Sequence, residues 1–132
     1  SRRGTRRSMT LLGFGLVAVS EISEQGSSSP AGCVVSARER AACASRKDPL
    51  PRLAARLAAK RACVSAFAPV AEIDPAAVRV TTLSRRPRIT IADPRCSGWK
   101  VRISLTHSAR HAAALCAASR HDHLSPETAR HP

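Results

Sequence analysis

Arg56, Lys60 and Arg61 crowd the stretch LAARLAAKRACVSAF, residues 53–67, which contains no acid. Spacing of four puts Arg56 and Lys60 one above the other on a helix, and Arg52 extends the row. Like charges at that spacing repel. Such a face is built to meet an anion: nucleic acid, an anionic membrane, a phosphate ligand or an acidic protein. A net charge of +13 on 132 residues points the same way, although a chain rich in Arg, Ala and Pro throughout supplies part of it. Other reactive groups form weaker patterns. His107 and His111 stand four apart, but no Glu follows His107 as HExxH requires. His121 and His123 flank Asp122 and offer at most a stray metal site. The five cysteines, Cys33, Cys43, Cys63, Cys96 and Cys116, include no CxxC, so neither a disulfide framework nor a zinc site is indicated. Reduced, buried thiols in a cytosolic protein are the plain reading.

The elements that must carry these groups follow from the pattern. Residues 11–20 are apolar and β-rich and predict a buried strand. The basic head before them imitates a secretory signal, but the run is too short to span a membrane. Met9 offers a natural start, with residues 1–8 as an extension. Residues 24–32, EQGSSSPAG, read as a loop. Ser36 is placed to cap a short helix over 36–46, and KDPLP breaks it. A helix over 50–67 buries Leu53, Leu57, Val64 and Phe67. Residues 78–93 read as a hairpin turning at Arg85–Pro87. Residues 99–107 alternate as a strand. The Ala-rich 108–119 fits strand or short helix. From Arg120 the chain is polar and frayed. Apolar residues at 43% suit one small domain, and aromatics at 2% leave the core to Leu, Val, Ile and Ala. The expected organisation is a basic extension over 1–10, a domain over 11–119 and a flexible tail over 120–132.

Three segments together resemble the holo-acyl-carrier-protein synthases, the small 4′-phosphopantetheinyl transferases. GFGLVAVSEI, 13–22, is similar to a first strand of the type GIDLVEISRI. SARERAACASRKDPLPRLAARLAAKRACVSAF, 36–67, resembles TERELAYC…R…P…LAARFAAKEAVAKAF. ISLTHSARHAAAL, 103–115, resembles VSLSHTRDYAAAV, and RRPRITI, 85–91, falls where the family has a GRP turn and strand. The order and spacing agree over about residues 11–119. The resemblance implies an α+β fold, an antiparallel sheet packed on a long helix, and a homotrimer in the cytoplasm. It also reads the apolar start as a core strand rather than a signal.

Such enzymes move phosphopantetheine from coenzyme A to a carrier-protein serine, a reaction governed by charge neutralisation and alignment. The family holds Mg²⁺ with the Asp of its first strand and the Glu of AAKEA, and a Lys one turn on assists. Here those positions are Gly15, Arg61 and Ser65. Gly15 has no ligand to offer, and Arg61 is a permanent cation. The nearby acids Glu21 and Glu39 do not align with the ligand positions, and Glu21 reads as solvated surface. The resemblance keeps Arg56, Lys60, Arg86 and His107 as coenzyme A contacts. Arg61 is then placed to contact the same phosphates where the metal would be, with Gly15 opening the space. The plain alternative is that Arg61 points to solvent. The turn glycine is Arg85, and the segment before Trp99 is shortened, with a helix lost. A lone Trp99 is more simply a core anchor than a base-stacking group.

The expected function is a phosphopantetheinyl-transferase-fold protein of a fatty acid or polyketide pathway. It binds coenzyme A or an acidic acyl carrier protein and is catalytically degenerate or repurposed. Two alternatives stand beside it. One is an active transferase with a rearranged metal site. The other is a basic nucleic-acid binder, supported by charge alone because no aromatic platform exists. No membrane role is expected.

Overall fold

The computed structural model of the chain describes residues 6–25, 37–44, 49–83 and 86–123. Its architecture follows from one row of very small residues. Strand β1 runs Arg6–Ala18, and its inward positions include Gly13, Gly15 and Val17 while Leu12, Phe14 and Leu16 point outward. Helix α3, Pro49–Phe67, crosses this strand. A Cβ at Gly13 would stand 2.1 Å from the Ala62 carbonyl oxygen, and one at Gly15 would stand 2.1 Å from that of Ala58. Ala58, Ala62 and Ala66, four apart on α3, thus meet a strand whose inward side chains are absent. A chain poor in aromatics builds its core by bringing backbones together rather than by filling a wide gap.

Strand β4, Lys100–His107, and β5, His111–His123, complete a three-stranded antiparallel sheet in the order β1-β5-β4. Gly13 faces Cys116 across the ladder, Gly15 faces Ala114 and Val17 faces Ala112. The buried row of β5, Ala112, Ala114, Cys116 and Ala118, continues the small-residue surface under α3. Strands β2, Val78–Leu83, and β3, Arg86–Ile91, form a separate hairpin. It turns Val78 and Val80 inward and leaves Arg79, Arg86 and Arg88 exposed. Two shorter helices complete the described chain: α1, Val19–Gln25, and α2, Ala37–Ala44. Among the described residues, no helix is long and apolar enough to cross a membrane.

The α+β class, the long helix on an antiparallel sheet, the hairpin and the strand before His107 all match the sequence reading. Several boundaries do not. The first strand begins at Arg6, and its register runs from Arg6 opposite His123 to Ala18 opposite His111. Residues 6–10 and 120–123 therefore belong to the sheet rather than to an extension and a frayed tail. The Ala-rich segment is strand, because it is held by ladders on both sides and its small side chains suit the close approach of α3. Helix α1 replaces the end of the expected first strand. Its start is fixed by Glu21, whose Oε2 accepts the Ala18 N–H at 2.9 Å, the carboxylate limb of a capping box. Arg86 and Pro87 pair with Leu83 and Thr82, so the hairpin connection is at 84–85, outside the described residues. The expected loop over 24–32 is corrected at its start, since Glu24 and Gln25 end α1; its remainder, Cys33, the Ser36 cap, residues 45–48, Arg85 and residues 124–132 lie outside the described residues.

Between β3 and β4 the only helical turn is 3-10, Pro94–Cys96, begun by Asp93. It delivers Trp99 to the core, 8% exposed, edge-on to Phe67 with ring centroids 5.6 Å apart. The Arg120 guanidinium lies 4.7 Å from the Trp99 ring centroid. Trp99 is thus an anchor, as its isolation suggested.

Candidate anion-binding site

The cationic row of α3 descends into the protein. Arg52 is exposed, Arg56 is half-buried and Lys60 is 1% exposed. A buried ammonium needs a counter-charge, and α2 supplies it: Lys60 Nζ stands 2.8 Å from Glu39 Oε1. The other oxygen of Glu39 accepts the Val80 N–H at 2.9 Å. Arg56 donates to the Val80 carbonyl and comes within 4.0 Å of Glu39. One carboxylate therefore ties α2, α3 and β2 together. The sequence assigns Lys60 to an anionic ligand; in the structure that anion is Glu39. The expectation that no acid answers the cations of α3 is corrected for the same reason. The answering acids come from other elements, so helical spacing cannot reveal them.

Arg61, on the next face of α3, remains partly open. Its Nη2 stands 2.8 Å from Glu21 Oε1, and Nη1 donates to the Leu16 carbonyl at 3.0 Å. Nη1 also reaches Glu21 Oε2 at 3.4 Å. The Arg61 guanidinium beside Glu21 holds that carboxyl below its ordinary range, aided by the Ala18 N–H and opposed by partial burial. Glu21 is thus partly exposed but not idle, and Arg61 does not simply point to solvent. The Leu16 contact puts the guanidinium beside β1, one residue past Gly15. Gly15 opens no space there, since the volume of its missing side chain is taken by Ala58 and Ala62 of α3. Ser65 is exposed one turn beyond Arg61.

A magnesium ion does not fit these residues. Magnesium requires hard oxygen ligands. Position 15 has no side chain, position 61 is a cation, and the Glu21 carboxylate is engaged by that cation. Among the described residues no three potential ligands converge. The arrangement can instead hold an anion by charge-assisted hydrogen bonds.

His107 ends β4 and, with Pro51, Ser108 and Ala109, lines an open cleft of about 280 Å³ at the first turn of α3. Ser108 closes the β4–β5 turn, its N–H donating to the His111 carbonyl at 2.8 Å. The helical rise puts Pro51 about 15 Å along α3 from Arg61. Arg56 lies between them, whereas Arg86 is apart from α3 on the exposed face of β3. The structure therefore spreads the candidate residues along one helix and its flank rather than gathering them at one point.

The described cysteines show no exposed thiol. Cys43, Cys63, Cys96 and Cys116 are free and buried. A hydrogen bond with Cys116 and burial together push the Cys63 thiol far up, so it stays protonated and unreactive.

No protein-family model matches the sequence, and no curated protein matches it. Solved structures do. A Chronobacterium ammoniagenes ACPS–CoA complex aligns with a TM-score of 0.70 and 24% identity, over 83% of this chain and 96% of that one. The Mycobacterium tuberculosis acyl carrier protein synthase aligns with a TM-score of 0.67 and 25% identity, over 82% and 95%. The holo-ACP-synthase of Plasmodium yoelii, at 12% identity, still aligns with a TM-score of 0.65 over 89% and 98%.

Proposed function

On the premise that its fold is that of the holo-acyl-carrier-protein synthases, we propose that this chain binds coenzyme A without a metal and serves an acyl carrier protein as a degenerate or repurposed member of that fold. The observation that carries the reading is Arg61 with its carboxylate partner at the place where the resemblance puts magnesium. A guanidinium there neutralises phosphate oxygens directly and bidentately. His107 at the α3 cleft, Arg56 midway and Arg86 on the hairpin are the further phosphate and nucleotide contacts. The chain's +13 charge suits an acidic carrier-protein surface. Free thiols among the described cysteines suit a cytoplasmic setting.

The same reading makes the protein a homotrimer. The outer face of the three-stranded sheet carries Leu12, Phe14, Leu16 and Leu115, each at least 50% exposed. Phe14 lies directly opposite Leu115 and Leu16 opposite Ala113, so the patch is contiguous. Contiguous exposed apolar surface marks an interface, and further copies of the same sheet are its natural cover.

Transfer is tested by incubating the protein with apo-acyl carrier protein, coenzyme A and excess magnesium, and weighing the carrier protein by mass spectrometry. The expected result is no efficient addition of the phosphopantetheine arm, because the aligned positions hold no ion to offset the charge that develops on the departing 3′,5′-ADP as the pyrophosphate bond of coenzyme A breaks. Robust magnesium-dependent transfer would overturn the degenerate reading and install a rearranged metal site in its place.

A further inference from the structure

We propose that Glu21 is a built-in competitor for the anion site on Arg61, so that an incoming phosphate must displace it. The inference rests on the reading of Arg61 as a phosphate contact, and it adds the group that limits that contact. A guanidinium recognises an anion through paired N–H donors on one edge. On Arg61 that edge is filled: Nη2 meets Glu21 Oε1 at 2.8 Å, and Nη1 is shared between Glu21 Oε2 at 3.4 Å and the Leu16 carbonyl at 3.0 Å. A phosphate that approaches this Nη1–Nη2 edge wants the same hydrogens as the carboxylate, and both cannot have them.

The exchange is structurally easy. The two side chains are 39% and 34% exposed, so an anion reaches the pair from solvent and no core contact has to open. Pairs this exposed hold weakly. Each partner also has a second anchor that survives the exchange. The Leu16 carbonyl keeps the guanidinium against β1. The Ala18 N–H, 2.9 Å from Glu21 Oε2, keeps the carboxylate at the start of α1. When Glu21 is displaced, it therefore stays near and returns when the anion leaves. The buried pair of Glu39 and Lys60 cannot behave this way, since its ammonium is sealed from solvent.

The test is calorimetric titration of inorganic pyrophosphate in EDTA into the full chain and three variants. Glu21→Gln keeps the oxygen that caps α1 but removes the competing charge. It should tighten pyrophosphate roughly 3- to 5-fold, the upper end of what an exposed ion pair is worth. Glu21→Asp keeps the charge but shortens its reach, and should tighten binding by a smaller factor. Glu72→Gln removes an exposed acid elsewhere on the surface and should change binding by less than about twofold. Unchanged affinity in Glu21→Gln, or equal tightening in Glu72→Gln, overturns the proposal. A parallel titration with coenzyme A separates it from the functional reading. Pyrophosphate tightening with no coenzyme A binding keeps the competitor and removes coenzyme A as the ligand. Coenzyme A binding that Glu21→Gln leaves unaltered removes the competitor and keeps the ligand.

Discussion

Arg61 and Glu21, forty positions apart in the chain, meet at 2.8 Å where α3 crosses the end of β1. The two motifs that carry the resemblance show why. Glu21 falls on the Arg of GIDLVEISRI, and Arg61 falls on the Glu of AAKEA. Read on the resemblance, the charges at both positions are reversed, and Arg61 has its counter-charge on α1 instead of standing alone.

The pair makes a prediction about acid. Glu21 titrates below its ordinary value of 4.5, chiefly through the Arg61 hydrogen bond. Its contribution to stability is present above that value and is lost as pH falls through the depressed one. Arg61→Gln removes the largest cause of the depression and leaves the smaller one from the Ala18 N–H. Urea unfolding should show wild type losing its advantage over Arg61→Gln as pH drops below 4.5, and a constant difference across the acid range would contradict the pairing.

The Glu39 carboxylate is the joint between α2, α3 and β2. Replacing it by Ala takes from the buried Lys60 ammonium the carboxylate at 2.8 Å and from the Val80 N–H the acceptor at 2.9 Å. The expected loss is about 3–5 kcal/mol, the cost of breaking a buried pair from one side. Chemical denaturation measures it. A loss below about 1 kcal/mol, the range of surface pairs, would show that Lys60 reaches water.

Restoring the aligned acid of the first strand should fail for a steric reason. Gly15→Asp drives a Cβ into the Ala58 carbonyl, at 2.1 Å, and within 2.8 Å of the Ala62 nitrogen. Even Gly15→Ala should cost about 1–3 kcal/mol, as overpacking does, seen as a lower urea midpoint with an unchanged slope. A carboxylate at position 15 and the close contact of β1 with α3 therefore exclude one another unless the two backbones separate.

Much of this was legible in the sequence, and the exceptions share a cause. The α+β class, the long helix, the hairpin and the strand ending at His107 all follow from periodicity within a segment. The significance of Gly15 does not, because what it accommodates is the backbone of α3, remote in sequence. The carboxylates of Glu21 and Glu39 answer cations on α3 from α1 and α2, so no spacing rule within one element finds them. The paired reversal of charge at Glu21 and Arg61 was the available signal. The strand over 111–123 is set by ladders on both sides, against the helical preference of its alanines.

Assembly is tested on the outer sheet face. Light scattering of the wild-type protein at micromolar concentration should give a trimer. Phe14→Glu, which changes an outward side chain and leaves the α3 contact untouched, should give monomer with the same far-ultraviolet circular dichroism. A stable wild-type monomer would remove the shared interface.

The central claim, that a guanidinium has taken over the anion-binding task of a metal, is tested most directly by calorimetry of coenzyme A binding to the full chain in EDTA. Binding should proceed without any divalent ion, and Arg61→Gln should weaken it by about 1–3 kcal/mol, the scale of one charge-assisted contact. Binding that appears only when magnesium is added, or that Arg61→Gln leaves unchanged, would contradict it.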